Sequence, residues 1–172
     1  MRGWGRRSAG KGDVPQGGTL AGSGYTGSGR IEMPATMKVK DLMSADLVTL
    51  GENDSLADAQ RCMERGRIRH LPVVRDGKLT GLLTHRDLLA ASFSIFAEVD
   101  WQEQRRIFSR ILVKELMHRH VKTVHPDLPV AEAARILYEN KYGCLPVVED
   151  DGTLVGLITE ADFLQLTLKL LP

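Results

Sequence analysis

Gly81-Leu82-Leu83-Thr84-His85-Arg86-Asp87 returns as Gly156-Leu157-Ile158-Thr159-Glu160-Ala161-Asp162. In both places a short apolar run ends at Thr-x-x-Asp. A run of that length reads as a buried strand, and Thr followed three residues later by an acid marks the start of a helix. A strand-to-helix junction that occurs twice in one chain points to an internal repeat.

The repeat extends outward from there. Val39-Lys40-Asp41-Leu42-Met43 recurs as Val113-Lys114-Glu115-Leu116-Met117, and Leu71-Pro72-Val73-Val74 as Leu145-Pro146-Val147-Val148. The offset is constant up to Asp76/Asp150 and grows by one residue beyond it, where Asp151 is inserted. About twenty of about fifty aligned positions are identical, which chance does not give.

Each copy reads as β-α-β-β-α. A short strand, Leu47–Leu50 or Val121–Val124, comes first. Asp54-Ser55 and Asp127-Leu128-Pro129 then open helices whose apolar faces are Leu56, Ala59, Met63 and Val130, Ala133, Leu137. Gly66 and Asn140 are the expected stops. Two apolar runs follow, Leu71–Val74 with Leu79–Leu83 and Leu145–Val148 with Leu154–Ile158. Asp76-Gly77 and Asp150-Asp151-Gly152 join them as hairpin turns. A second helix starts at each Thr-x-x-Asp. Met43 and Met117 are expected in the core. About fifty residues make a poor independent core, so the copies should pack sheet against sheet about a pseudo-twofold axis.

The chain has 172 residues, 42% apolar and 26% charged, with a formal net charge of +1. Residues 1–30 hold Arg2, Arg6, Arg7, Lys11 and Arg30 against Asp13, so the remainder is mildly acidic. That balance argues against a specific nucleic-acid partner. Cys62 and Cys144 form no C-x-x-C pair, which excludes a disulfide framework, and no apolar run approaches a membrane span. A cytoplasmic location is the expectation. Residues 1–32 carry ten of the seventeen glycines and are expected to be a disordered, basic Gly/Ser-rich tail. Gly22-Ser23-Gly24-Tyr25-Thr26-Gly27 within it matches G-x-G-x-x-G, but neither flank is apolar or periodic, so it reads as composition rather than a dinucleotide fingerprint.

The order and the residues resemble the cystathionine-β-synthase (CBS) domain family, through the V-K-[DE]-L-M starts, the L-P-V-V strands and the G-L-[LI]-T-x-x-D endings. The resemblance covers residues 37–169. It implies an α/β (α+β) fold of two CBS motifs, residues 37–92 and 112–170, joined by a mostly helical linker at 93–111. Phe93, Phe96, Trp101, Ile107, Phe108, Ile111 and Leu112 make that linker apolar enough to lie on the domain, as cover, dimer contact or ligand lid. Paired CBS motifs typically bind AMP, ADP, ATP or related adenosyl ligands between the copies, and are regulatory rather than enzymatic.

The resemblance also implies roles. Asp87 and Asp162 would bind ribose, and Thr84 and Thr159 would lie near ribose or phosphate. Arg69 and His70 would reach phosphate, Thr49 and Thr123 would touch adenine, and Pro72 and Pro146 complete the set. Free N–H groups at a helix start suit a phosphate, and a carboxylate there can accept from a ribose cis-diol. The second copy has Gly143 and Cys144 where the first has Arg69 and His70. One competent site around Thr84 and Asp87 is therefore expected, with a weaker or vacant counterpart. Thr-x-x-Asp is equally a capping box, so a ligand-free interaction module is the alternative. His118, His120 and His125 read as exposed loop histidines rather than metal ligands. No obligatory cofactor is implied. The expected partners are an adenine nucleotide, a second copy of the chain and an unidentified effector protein, with no membrane.

Overall fold

The computed structural model describes residues 37–95 and 100–171. The expected tail at 1–32, its Gly22–Gly27 motif and Phe96 of the linker lie outside the described residues. The elements run α1 (Val39–Leu42), α2 (Leu56–Gly66), β1 (His70–Arg75), β2 (Lys78–Thr84), α3 (His85–Ile95), α4 (Trp101–Phe108), α5 (Val113–Leu116), α6 (Val130–Asn140), β3 (Cys144–Val148), β4 (Leu154–Thr159) and α7 (Glu160–Leu170). None of these helices is long and apolar enough to cross a membrane.

The two hairpins repeat each other in detail. β1 pairs antiparallel with β2 from His70↔Thr84 to Arg75↔Lys78, with an irregularity between Val73 and Val74. β3 and β4 pair from Cys144↔Thr159, with the same irregularity between Val147 and Val148. Asp76 and Gly77 both take positive φ (51° and 81°), the geometry that Asp-Gly supplies to a tight hairpin. Helices α2 and α6 stop at Gly66 and Asn140 as expected. The left-handed residues that follow are not glycines but Arg67 (φ 50°) and Lys141 (φ 57°).

The first strand of each copy is shorter than its sequence suggests. Only Leu50 and Val124 pair, as single parallel bridges to Val73 and Val147. The Leu50 N–H donates to the Pro72 carbonyl at 3.0 Å and its own carbonyl accepts from Val74 at 2.8 Å; Val124 repeats the pattern with Pro146 and Val148. Gly51 follows Leu50, and Asp54 turns back to accept from the Gly51 N–H at 2.7 Å. That turn follows directly on the one paired residue.

The copies exchange their lead segments. Val39 of α1 is fully buried among Val124, Leu137, Leu145, Val147 and Ile158 of the second copy. Val113 of α5 is fully buried among Leu50, Leu56, Leu71 and Leu83 of the first. Val39 and Lys40 donate to the carbonyls of Leu128 and Pro126, while Val113 and Lys114 donate to those of Asp54 and Glu52. Met43 then packs over Gly156, and Met117 over Gly81. Leu82 and Leu157 pair with His118 and Ser44 through mutual N–H···O bonds of 2.9–3.0 Å. Each hairpin thus gains a bridge from the other copy. Leu82, Cys144 and Leu157, with Leu47 and Val121, fill the interface between the copies. The hairpin tips also join, through Leu79 N–H to the Gly152 carbonyl and Leu154 N–H to that of Gly77.

A methyl group on Gly81 would meet the Met117 sulfur at 2.7 Å and the His118 carbonyl at 2.9 Å. A backbone carbonyl cannot move aside without breaking the bridge to Leu82. Gly81→Ala is therefore expected to cost about 1–3 kcal/mol in urea denaturation. An unchanged midpoint would mean that this close approach is not tight in solution.

Candidate functional site

Two clefts lie where each Thr-x-x-Asp junction faces the other copy. The first, of about 570 Å³, is lined by Arg69, His70, Thr84, His85, Arg86, Asp87, Leu89, His118, Lys141, Gly143 and Glu160. At its floor β2 ends and α3 begins. The Thr84 N–H and hydroxyl donate to Asp87 Oδ2 at 2.8 and 2.7 Å, and the Asp87 N–H donates to Thr84 Oγ1 at 3.3 Å. The His85 N–H is also taken, by the Arg69 carbonyl at 2.9 Å. Two of the first three N–H groups of α3 are therefore engaged. The expectation of freely available donors needs that correction.

One carboxylate oxygen closes the cap, so Asp87 presents the cleft with Oδ1 alone. That oxygen contacts His118 Nε2 at 3.0 Å. His118 comes from the segment after α5, which the exchange of lead segments carries onto the first copy. Around the carboxylate stand Arg69 at the start of β1, Arg86 in the first turn of α3 and Lys141 at the end of α6, with Glu160 opposing them. Three fixed cations against two carboxylates make an environment suited to an anion.

His70 lies over Gly143, where a methyl would meet its Nε2 at 2.8 Å. Glycine at 143 offers no charge, yet it makes room for the imidazole. Burial, aided by the Arg69 charge, holds the His70 pKa below its ordinary value. His70 is thus set to act as a neutral hydrogen-bonding group rather than a cation.

The second cleft is smaller, about 300 Å³, and more apolar. It includes Ser44, Asp46, Leu47, Val48, Ile68, Pro72, Leu157, Thr159 and Ala161, and shares Arg69 and His70 with the first. Here the Thr159 N–H and hydroxyl donate to Asp162 Oδ2 at 2.7 and 2.8 Å. The junction is a copy of the first.

The candidate residues divide accordingly. Arg69, His70, Thr84 and Asp87 converge on the first cleft. Arg69, His70, Pro72 and Thr159 line the second. Thr49, Thr123, Asp162 and Pro146 line neither. Thr49 and Thr123 are half-buried, and Pro146 is buried beneath the Val124 bridge. Sequence reasoning missed His118 as a site residue, and it missed Ser44, Asp46, Leu47 and Val48 in the second cleft. Burial pushes the Cys144 thiol up to about 12, which makes it an interface packing group rather than a nucleophile. No cluster able to hold a metal ion occurs among the described residues.

The CBS domain model matches twice, at residues 39–94 and 113–169. The chain belongs to the CBS domain family. It is a CBS pair, and its two matches frame the two junctions just described. A CBS domain-containing protein of Dictyostelium discoideum is 34% identical over 134 residues, 77% of this chain and 92% of its own. The structure of CBSX2, a CBS-pair protein of Arabidopsis thaliana, in complex with AMP superimposes with a TM-score of 0.65 at 29% identity. That match covers 77% of this chain and 97% of that one. The CBS domain pair of protein MJ0100, in complex with 5′-methylthioadenosine and S-adenosyl-L-methionine, gives 0.64 at 29% identity, over 78% and 98% of the two chains. Two longer curated enzymes also match, but the chain spans only 24% of the length of each.

Proposed function

We propose that this CBS pair is a regulatory module that binds an adenosine nucleotide of the AMP, ADP or ATP type in the 570 Å³ cleft. The observation that carries the reading is Asp87 Oδ1, left over once the helix cap is made, on the floor of a cleft with Arg69, Arg86 and Lys141 on its walls. A ribose diol would donate to Oδ1. The phosphate would face the cations, with His70 as a neutral partner. A cleft of about 570 Å³ falls within the usual range for small-molecule sites. The adenosyl ligands of CBSX2 and MJ0100 support the ligand class.

Thr159 and Pro72 belong to the second cleft on this reading, with Asp162 capping the helix beside it. Its volume and apolar lining make it the weaker site. Thr49 and Thr123 keep the adenine contacts that the family resemblance gives them, and Pro146 stays a ligand-binding candidate. Occupancy would act by favouring one packing of the two copies, passed on through a homodimer or an effector protein, since a ligand shifts only states that it binds unequally. No catalysis is assigned.

A thermal-shift panel of AMP, ADP, ATP, NAD and S-adenosylmethionine tests this, with wild type, Asp87→Ala and Asp162→Ala. A ligand at 100 times its dissociation constant should add about 2.7 kcal/mol, or about 5–10 °C in Tm. The shift should vanish in Asp87→Ala and survive in Asp162→Ala. The reverse pattern would move the site to the second cleft. The second reading, a ligand-free interaction module, is favoured by the closed caps at both acids, and a panel with no shift would establish it.

A further inference from the structure

Asp87 and Asp162 close identical caps, but their second oxygens differ. Asp87 Oδ1 is taken by His118 Nε2 at 3.0 Å. At the equivalent place beside the second cleft stands Ser44, and Asp162 Oδ1 has no partner among the described residues. The His118 side chain is 63% exposed and that of Asp87 only 15%. The imidazole therefore reaches in from solvent to a largely covered carboxylate. Its backbone is fixed by the Leu82 bridge, so its side chain can swing out without disturbing the fold.

We propose that His118 is a positioning residue of the first cleft: it occupies the Asp87 oxygen that a ribose diol requires, and a ligand binds by displacing it. The inference rests on the reading that Asp87 anchors ribose. A neutral imidazole donates one hydrogen bond to the carboxylate. An imidazolium donates a charge-assisted one, about twice as strong, and imidazoles gain charge between about pH 5 and 8. Displacement is then harder at low pH, so affinity rises with pH.

The neighbouring groups do not produce the same signal. The other charged and titratable groups that line the cleft, Arg69, His70, His85, Arg86, Lys141 and Glu160, are present in every protein compared, so a contribution of theirs does not change with residue 118.

The test is calorimetric titration of the full chain with adenosine at about pH 5.5 and about pH 8. Adenosine has no phosphate that a protonated imidazole could attract. Wild type should bind about two- to fivefold more weakly at the lower pH. His118→Gln keeps a neutral hydrogen bond and should lose that difference. His118→Ser, which copies position 44, should bind more tightly than wild type at both pH values. AMP is titrated in parallel, and the His118→Gln to wild-type ratio is read in the same way. Equal pH ratios in all three proteins, with binding intact, would overturn the role of His118 alone. Absence of binding by either ligand in all three would overturn the site reading and this inference with it.

Discussion

Phe108→Ala should lower the unfolding free energy by about 3–5 kcal/mol, the range for removing a large aromatic from a core. Phe108 ends helix α4 and is 1% exposed. It belongs to the same buried cluster as Leu56, Ala59, Met63 and Leu88. Helix α4 is aimed there by its own start, where Asp100 Oδ1 accepts from the N–H groups of Gln102 and Glu103 at 2.8 and 2.9 Å. Helix α4 thus contributes Phe108 to the first core. Urea denaturation measures the loss. A cost under about 1 kcal/mol would place this residue with ordinary surface substitutions and make α4 a detachable strap.

An effect of similar size is expected for Val39→Asp. Val39 lies near the beginning of the described chain, in a helix of four residues, where a polar change would ordinarily be tolerated. Here the new carboxylate would be buried among Val124, Leu145, Val147 and Ile158 without a partner. A loss above about 4 kcal/mol follows from an unpaired charge in such a place. The milder Val39→Ala tells which half is affected. Hydrogen exchange should show β3 and β4 losing protection before β1 and β2, although Val39 precedes the first copy. The opposite order would contradict the exchange of lead segments.

These two residues also mark the boundary of what the sequence discloses. Leu71–Val74 and Gly81–Asp87, with their counterparts, announce hairpins and helix starts through short-range chemistry, and the structure has them in register. Thr84 and Asp87 close the cap that their spacing implies. The parallel pairing of Leu47–Leu50 shrinks to Leu50 alone, and Leu47 packs instead against the interface cluster of Leu82, Cys144 and Leu157. That outcome is set by tertiary packing rather than by propensity.

Val39 and Val113 repeat so faithfully that each looks like a member of its own copy. Only the packing shows that they trade places. His118 escaped notice as a site residue for the same reason. It is thirty-one residues from Asp87 along the chain, and no local pattern joins them. Arg69 and His70 were legible as site candidates through the family resemblance, which implies phosphate contacts from basic residues just before this strand. Their position between two clefts was not.

The crossed lead segments also bear on descent. Met43 rests on Gly156 and Met117 on Gly81, so a solitary ancestral repeat that packed in the same way would have needed a twin to receive its lead methionine. Such a forebear would have lived as an arm-exchanged pair of identical chains. Fusing the two genes would have kept every one of those contacts while freeing assembly from dependence on concentration. Only then could positions such as 69 and 143, or 44 and 118, diverge one at a time, because a change in one half no longer forced the same change in the other.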